Sequence, residues 1–184
     1  FKPDLPFSPG GEVAGVVKKL GPDVHSLKVG DRVIAFSTWG GFAEELVVDQ
    51  SRTVMISDKM DFERASAFIL TYGTSYHALK DRALLRAGET LLVLGASGGV
   101  GIAAIQLGKA LGATVIAAAS NAEKLSVCKQ NGADHLINYS ENDLRQSVKE
   151  ITQGRGVDVV YDPVGGSFSE KALRDMSWGG RFLV

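Results

Sequence analysis

The stretch Leu91-Leu92-Val93-Leu94-Gly95-Ala96-Ser97-Gly98-Gly99-Val100-Gly101-Ile102-Ala103-Ala104 decides the fold. An apolar run ends in a glycine cluster, and an apolar helical pattern follows at once. A buried parallel strand turns in this way through a phosphate-binding loop into a helix. The glycines permit a tight turn and a close approach by pyrophosphate. The helix start offers unpaired N–H groups and the positive end of its dipole. The assigned contacts are Ser97, Gly98, Gly99, Val100 and Gly101.

The residues downstream extend this reading. Strands are expected at Leu91–Gly95, Thr114–Ala119, His135–Asn138, Val157–Asp162 and Arg181–Val184. Helices are expected between them at Val100–Leu111, Ala122–Asn131, Asp143–Thr152 and Ser169–Met176. Such alternation predicts an α/β fold, a doubly wound parallel Rossmann sheet. Upstream the pattern differs. Short apolar segments at Glu12–Leu20, Arg32–Phe36 and Phe42–Val48 are separated by glycine and proline turns, which suggests part of a small β-barrel. From Asp61 to Leu85 the spacing is helical, interrupted at Thr71–Thr74.

Bulk properties narrow the function. A formal net charge of −1 gives no electrostatic case for nucleic acid or an anionic membrane. No apolar run is long enough to span a bilayer. One cysteine, Cys128, permits neither an internal disulfide nor a cysteine zinc cluster, and favours a reducing compartment. Both ends read as internal to a longer protein: the chain opens on Phe1 and stops within an apolar strand.

The glycine loop alone fits two patterns. Gly95 to Gly101 also matches G-x-x-x-G-x-G, the loop of short-chain dehydrogenases, and Tyr76-x-x-x-Lys80 mimics their catalytic pair. In that family the pair follows the loop, whereas here it precedes it, so both are read as ordinary helix positions.

Cofactor choice turns on the end of the second strand. NAD sites usually place an Asp or Glu there to hold the ribose diol. This chain has Ala117-Ala118-Ala119-Ser120-Asn121, with no acid. Ser120 can donate to a 2′-phosphate, Lys124 can reach back as a point charge, and Tyr139 can flank the adenine or phosphate. NADP(H) is the expected cofactor. Ser120-x-x-Glu123 is also a capping box, a purely structural use of the same serine, and Glu123 could instead approach a ribose.

With these residues in place, the chain resembles the medium-chain dehydrogenase/reductase superfamily, and within it the zinc-free quinone oxidoreductase (zeta-crystallin-like) branch. The resemblance runs through Pro6–Gly15, Val29–Val33, Gly40–Glu44, Thr71–Leu79, Gly95–Gly101, Gly132–Tyr139 and Tyr161–Gly166. It implies the later part of a GroES-like catalytic domain over residues 1–68 and an NADP-binding Rossmann domain over residues 69–184. It also implies that Thr74 lies near the nicotinamide half and Val164 near its amide, with Tyr72 as the candidate catalytic proton donor or carbonyl hydrogen bond. Zinc-dependent relatives carry Gly-His-Glu where this chain has Gly10-Gly11-Glu12, so no metal site is expected. His25, His77 and His135 are read as structural or solvated.

The expected reaction is zinc-independent hydride transfer from NADPH to a quinone or α,β-unsaturated carbonyl. The resemblance further implies a homodimer of the complete protein. The expected compartment is the cytoplasm, with the mitochondrion as alternative. Two other functions stay open: an enoyl-thioester reductase, and a non-catalytic NADPH-binding or structural protein.

Overall fold

Successive residues of the strand before the glycine cluster face opposite ways. Leu91 and Val93 enter one buried apolar cluster, and Leu92 and Leu94 enter another. A strand apolar on both faces needs cover on both, and the helices supply it. The computed structural model describes residues 4–184, and the chain parts between Leu70 and Thr71 into two compact units.

The second unit is built on strands β4 (Thr90–Val93), β5 (Thr114–Ala119), β6 (His135–Asn138), β7 (Val157–Tyr161) and β8 (Met176–Leu183). They lie in the order β6-β5-β4-β7-β8, and every pairing is parallel. The helices are α3 (Gly99–Ala110), α4 (Ala122–Gln130), α5 (Leu144–Ile151) and α6 (Ser167–Leu173). Ile105 of α3 and Cys128 of α4 pack with Leu91, Val93 and Val115 on one face. Leu144 and Val148 of α5 and Ala172 of α6 pack with Leu92, Ile116 and Val160 on the other. The expected doubly wound sheet is therefore present. Gly108 lets α3 lie close, since a Cβ there would stand 2.8 Å from Leu91 Cδ2 and 3.0 Å from Val115 Cγ2.

Two boundaries of this unit differ from expectation by three residues or more. The helix expected to reach Met176 stops at Leu173, and β8 starts at Met176 instead of Arg181. Pairing explains the longer strand. Met176 stands opposite Val157, and Arg181 opposite Val159, across a register shift. At this end of the sheet, Asp158 accepts from Thr90 N–H at 2.8 Å and Ser177 Oγ at 3.1 Å. Arg181 donates to Glu89 at 2.6 Å, and this bond holds the Glu89 carboxyl below the usual carboxylate range. Cys128 is fully buried, and burial pushes its thiol up.

The first unit holds a three-stranded antiparallel sheet, β1 (Glu12–Val16), β2 (Arg32–Phe36) and β3 (Thr53–Met55). β1 ends four residues before the expected Leu20. The strand expected at Phe42–Val48 is not formed. Gly40, Gly41 and Phe42 donate their N–H groups to Ser8, Gly10 and Pro9, which is a bend and not a ladder. Phe42 and Val47 are exposed there, with no strand to pair against.

Helix α1 (Phe62–Ala65) is capped by Asp61, which accepts from Arg64 N–H at 2.7 Å. Residues Ile69–Gly73 form a π-helical turn, α2 spans Thr74–Tyr76, and a second π-helical turn spans His77–Arg82. The interruption expected at Thr71–Thr74 is thus a widened turn within a continuing helical path. No helix among the described residues is long and apolar enough to cross a membrane.

Candidate functional site

The carboxyl ends of parallel strands open on one edge of a sheet, and the crevice forms where the winding reverses. Here that place lies between β4 and β7. Leu94 N–H donates to Tyr161 O at 3.0 Å, and a Cβ on Gly95 would stand 2.7 Å from Val164 Cγ2. The loop after β4 and the loop after β7 therefore touch.

The glycine loop is shaped by close approach. Gly95 has φ +56°, and its O accepts from Gly98 N–H at 3.0 Å. A Cβ on Gly101 would stand 2.7 Å from the carbonyl oxygens of both Gly95 and Ala96, so α3 can start there only on glycine. Gly98 is the N-cap of α3, and no side chain caps that helix. The contrast is local: Asp61, Asn121 and Asp143 cap α1, α4 and α5 with their side chains. The first N–H groups of the 12-residue α3 face an edge lined by exposed Gly98 and Gly99. That geometry fits a dinucleotide pyrophosphate.

Ser97 and Val100 are half-buried within this loop. Residues Thr71–Ser75 lie on the first turn of α3. A Cβ on Gly99 would stand 3.1 Å from Thr71 Cγ2, and the buried Ser75 Oγ donates to Val100 O at 3.0 Å. Ser75 Oγ also lies 3.2 Å from Tyr161 Oη. Thr74, next to this tie, is exposed. Tyr72 is half-buried, and its hydroxyl donates to Gln106 Oε1 of α3. Gln106 in turn donates to Asn131 Oδ1 at 2.6 Å.

The end of β5 corrects one expectation. Ser120 is not the cap of α4, so the Ser120/Glu123 capping box does not form. Asn121 takes the cap, accepting from Lys124 N–H at 2.9 Å. Ser120 Oγ is left to accept from Lys124 Nζ at 3.0 Å. A hydroxyl and an ammonium thus sit together, with no acid at the strand end. Tyr139 follows β6, its N–H bonded to Ala119 O at 3.1 Å and its ring 4.5 Å from that of Phe168.

Beyond β7, Asp162 is 2% exposed. Its Oδ1 accepts from Val164 N–H and Gly165 N–H, both at 2.9 Å, and its Oδ2 from the Ser169 hydroxyl. Asp162, Ser75 and Gln106 had no signal in sequence, because a buried polar residue shows itself only through its partners. The glycine loop, Ser120, Tyr139 and Val164 follow β4, β5, β6 and β7 in turn, at the carboxyl edge of the sheet, while the Tyr72 hydroxyl bonds to Gln106 of α3. His25 and His135 are exposed, and His77 Nδ1 lies 2.8 Å from Asp81 on its own helix. Among the described residues, no three of His, Cys, Asp and Glu gather as metal ligands.

Comparison with known proteins agrees with this architecture. Residues 1–58 match the family model described as the alcohol dehydrogenase GroES-like domain, and residues 99–184 the one described as zinc-binding dehydrogenase. Quinone oxidoreductase-like protein 2 of Bos taurus is 41% identical over 98% of the chain and 52% of its own length. A solved structure of a probable oxidoreductase from Mycobacterium abscessus superposes with a TM-score of 0.93, at 43% identity, covering 100% of this chain and 57% of that one. The Escherichia coli quinone oxidoreductase complexed with NADPH superposes with a TM-score of 0.88, at 37% identity, covering 96% of this chain and 54% of that one. The chain spans about half the length of the curated relatives it matches. Shared order of motifs, a GroES-like unit followed in sequence by a doubly wound sheet, and these likenesses meet in one conclusion: the chain belongs to the medium-chain dehydrogenase/reductase superfamily, in its quinone oxidoreductase branch.

Proposed function

We propose that the protein is an NADPH-dependent reductase that passes hydride to a quinone or α,β-unsaturated carbonyl without zinc. The observation that carries the cofactor choice is the pairing of Lys124 Nζ with Ser120 Oγ at 3.0 Å, at a strand end that bears no acid. A 2′-phosphate placed there meets one hydroxyl and one ammonium, where a carboxylate would repel it. The uncapped start of α3 receives the pyrophosphate, and Tyr139 flanks the adenine end. Thr74 and Val164 face the nicotinamide half. When bound, the cofactor supplies the hydride; the protein's part is to hold donor and acceptor in register and keep water out.

Two features support a metal-free site. Gly11 stands where zinc-dependent relatives place a histidine ligand. Glu12 beside it is already used, accepting from Leu70 N–H at 3.0 Å. The Tyr72 hydroxyl donates to Gln106 Oε1, a bond that ties the Thr71–Ser75 turn to α3, and Tyr72 stays the candidate proton donor or carbonyl hydrogen bond.

Kinetics with both coenzymes test the reading. Lys124→Ala in the full-length protein should raise KM for NADPH about tenfold or more and leave KM for NADH within about twofold, the effect of one lost charge-assisted contact. Equal effects on both coenzymes would sink the phosphate assignment. Turnover of a quinone and enone panel should be unchanged by a chelator, and chelator-sensitive alcohol oxidation would overturn the metal-free reading.

A further inference from the structure

We infer that Asp162 is a positioning residue for the nicotinamide end of the cofactor: its buried carboxylate sets the shape of the Pro163–Gly166 loop and so holds Val164 over Gly95. The inference rests on the dinucleotide reading above and adds to it the group that fixes one wall of the site.

The carboxylate is an unusual choice for its place. Burying one is costly unless its lone pairs are met, and an apolar residue would close β7 more cheaply. The bonds that meet it are aimed forward into the loop. Oδ1 takes both Val164 N–H and Gly165 N–H at 2.9 Å, while Oδ2 takes the hydroxyl of Ser169 on α6. The backbone N–H of Asp162 is itself anchored, donating to Leu183 O of β8 at 2.9 Å. From the end of β7, one side chain thus ties the loop to α6. The loop then needs Gly165 and Gly166 at φ +78° and +68° to complete its turn.

The result is an exposed apolar side chain on a clamped backbone. Val164 is 49% exposed, yet its Cγ2 lies where a Cβ on Gly95 would clash at 2.7 Å. A surface valine packed for stability would be covered. One held open at the reversal point of the sheet makes a fixed wall for a flat ring. Holding that wall before the ligand arrives lowers the ordering cost of binding.

Binding calorimetry on the full-length protein separates this role from general stability, using NADPH and 2′,5′-ADP, which lacks the nicotinamide half. Asp162→Ala should weaken NADPH about tenfold or more while leaving 2′,5′-ADP within about twofold. Asp162→Asn keeps an oxygen for the two N–H groups and should hold NADPH within about threefold of the wild type. Ser169→Ala removes only the third bond, and it decides the matter should Asp162→Ala fail to fold. It should weaken NADPH a few-fold and spare 2′,5′-ADP. Variants that weaken both ligands equally, or neither, would overturn the role. A wild-type protein that binds 2′,5′-ADP but shows no gain from the nicotinamide half would overturn it too. If the wild type binds neither ligand, the dinucleotide reading itself falls, and this inference with it.

Discussion

Gly101 shows how one absent methyl group can fix a site. A Cβ at this position would stand 2.7 Å from two carbonyl oxygens and 2.8 Å from the Ala96 carbonyl carbon, all of them backbone. None of these atoms is the movable tip of a side chain. Gly101→Ala should therefore cost about 3 kcal/mol, the upper range for overpacking, and should weaken dinucleotide binding as α3 is pushed from its strand. Chemical denaturation with the linear extrapolation checks the first effect. A loss under about 0.5 kcal/mol, as at an ordinary surface site, would mean that the turn relaxes freely. Gly15, by contrast, has nothing within 4 Å of its added Cβ, so the same exchange there meets no neighbour.

At a helix start, the residue that caps decides what its neighbour is free to do. The Ser120-x-x-Glu123 spacing predicts Ser120 as the cap of α4, although Asn121 beside it offers a short side-chain oxygen too. The backbone chooses Asn121, and that choice frees Ser120 for Lys124. The two residues should then separate by experiment. Asn121→Ala should lower stability by about 1 kcal/mol, as loss of a helix cap does. Ser120→Ala should change stability by less than about 0.5 kcal/mol while weakening NADPH in preference to NADH. Paired denaturation and coenzyme-affinity measurements decide it, and a reversed pattern would restore the capping box. Elements differ in how far sequence announces them. The alternation of buried strands and helices from Leu91 onward was legible because period and glycine placement are local signals. The fate of Phe42–Val48 was not, because a strand exists only with a partner edge. Asp162 was hidden for a related reason. Its neighbours in the sequence look like any Asp-Pro turn, and only its burial and its three bonds give it meaning.

Taken whole, the molecule divides its chemistry unevenly. Every residue assigned to the dinucleotide, from Thr74 to Val164, lies in the unit that starts at Thr71. That unit is also where the core is deepest, with Leu91, Leu92, Val93, Val115, Ile116 and Val160 fully buried. Cys128 belongs to the same core, at 0% exposure, and burial raises its thiol above the ordinary range. Cys128 is the single cysteine of this sequence, and a thiol label mapped to it dates one event, the opening of α4 from the sheet. The thiol is in effect a built-in clock. Alkylation in native buffer should run far slower than in denaturant. Saturating NADPH at about a hundred times its Kd should slow it up to about a hundredfold further where opening releases the ligand, the kinetic face of about 2.7 kcal/mol of linkage. Mass spectrometry of the labelled fraction against time reads this directly, and labelling indifferent to NADPH would show that α4 opens without disturbing the cofactor edge.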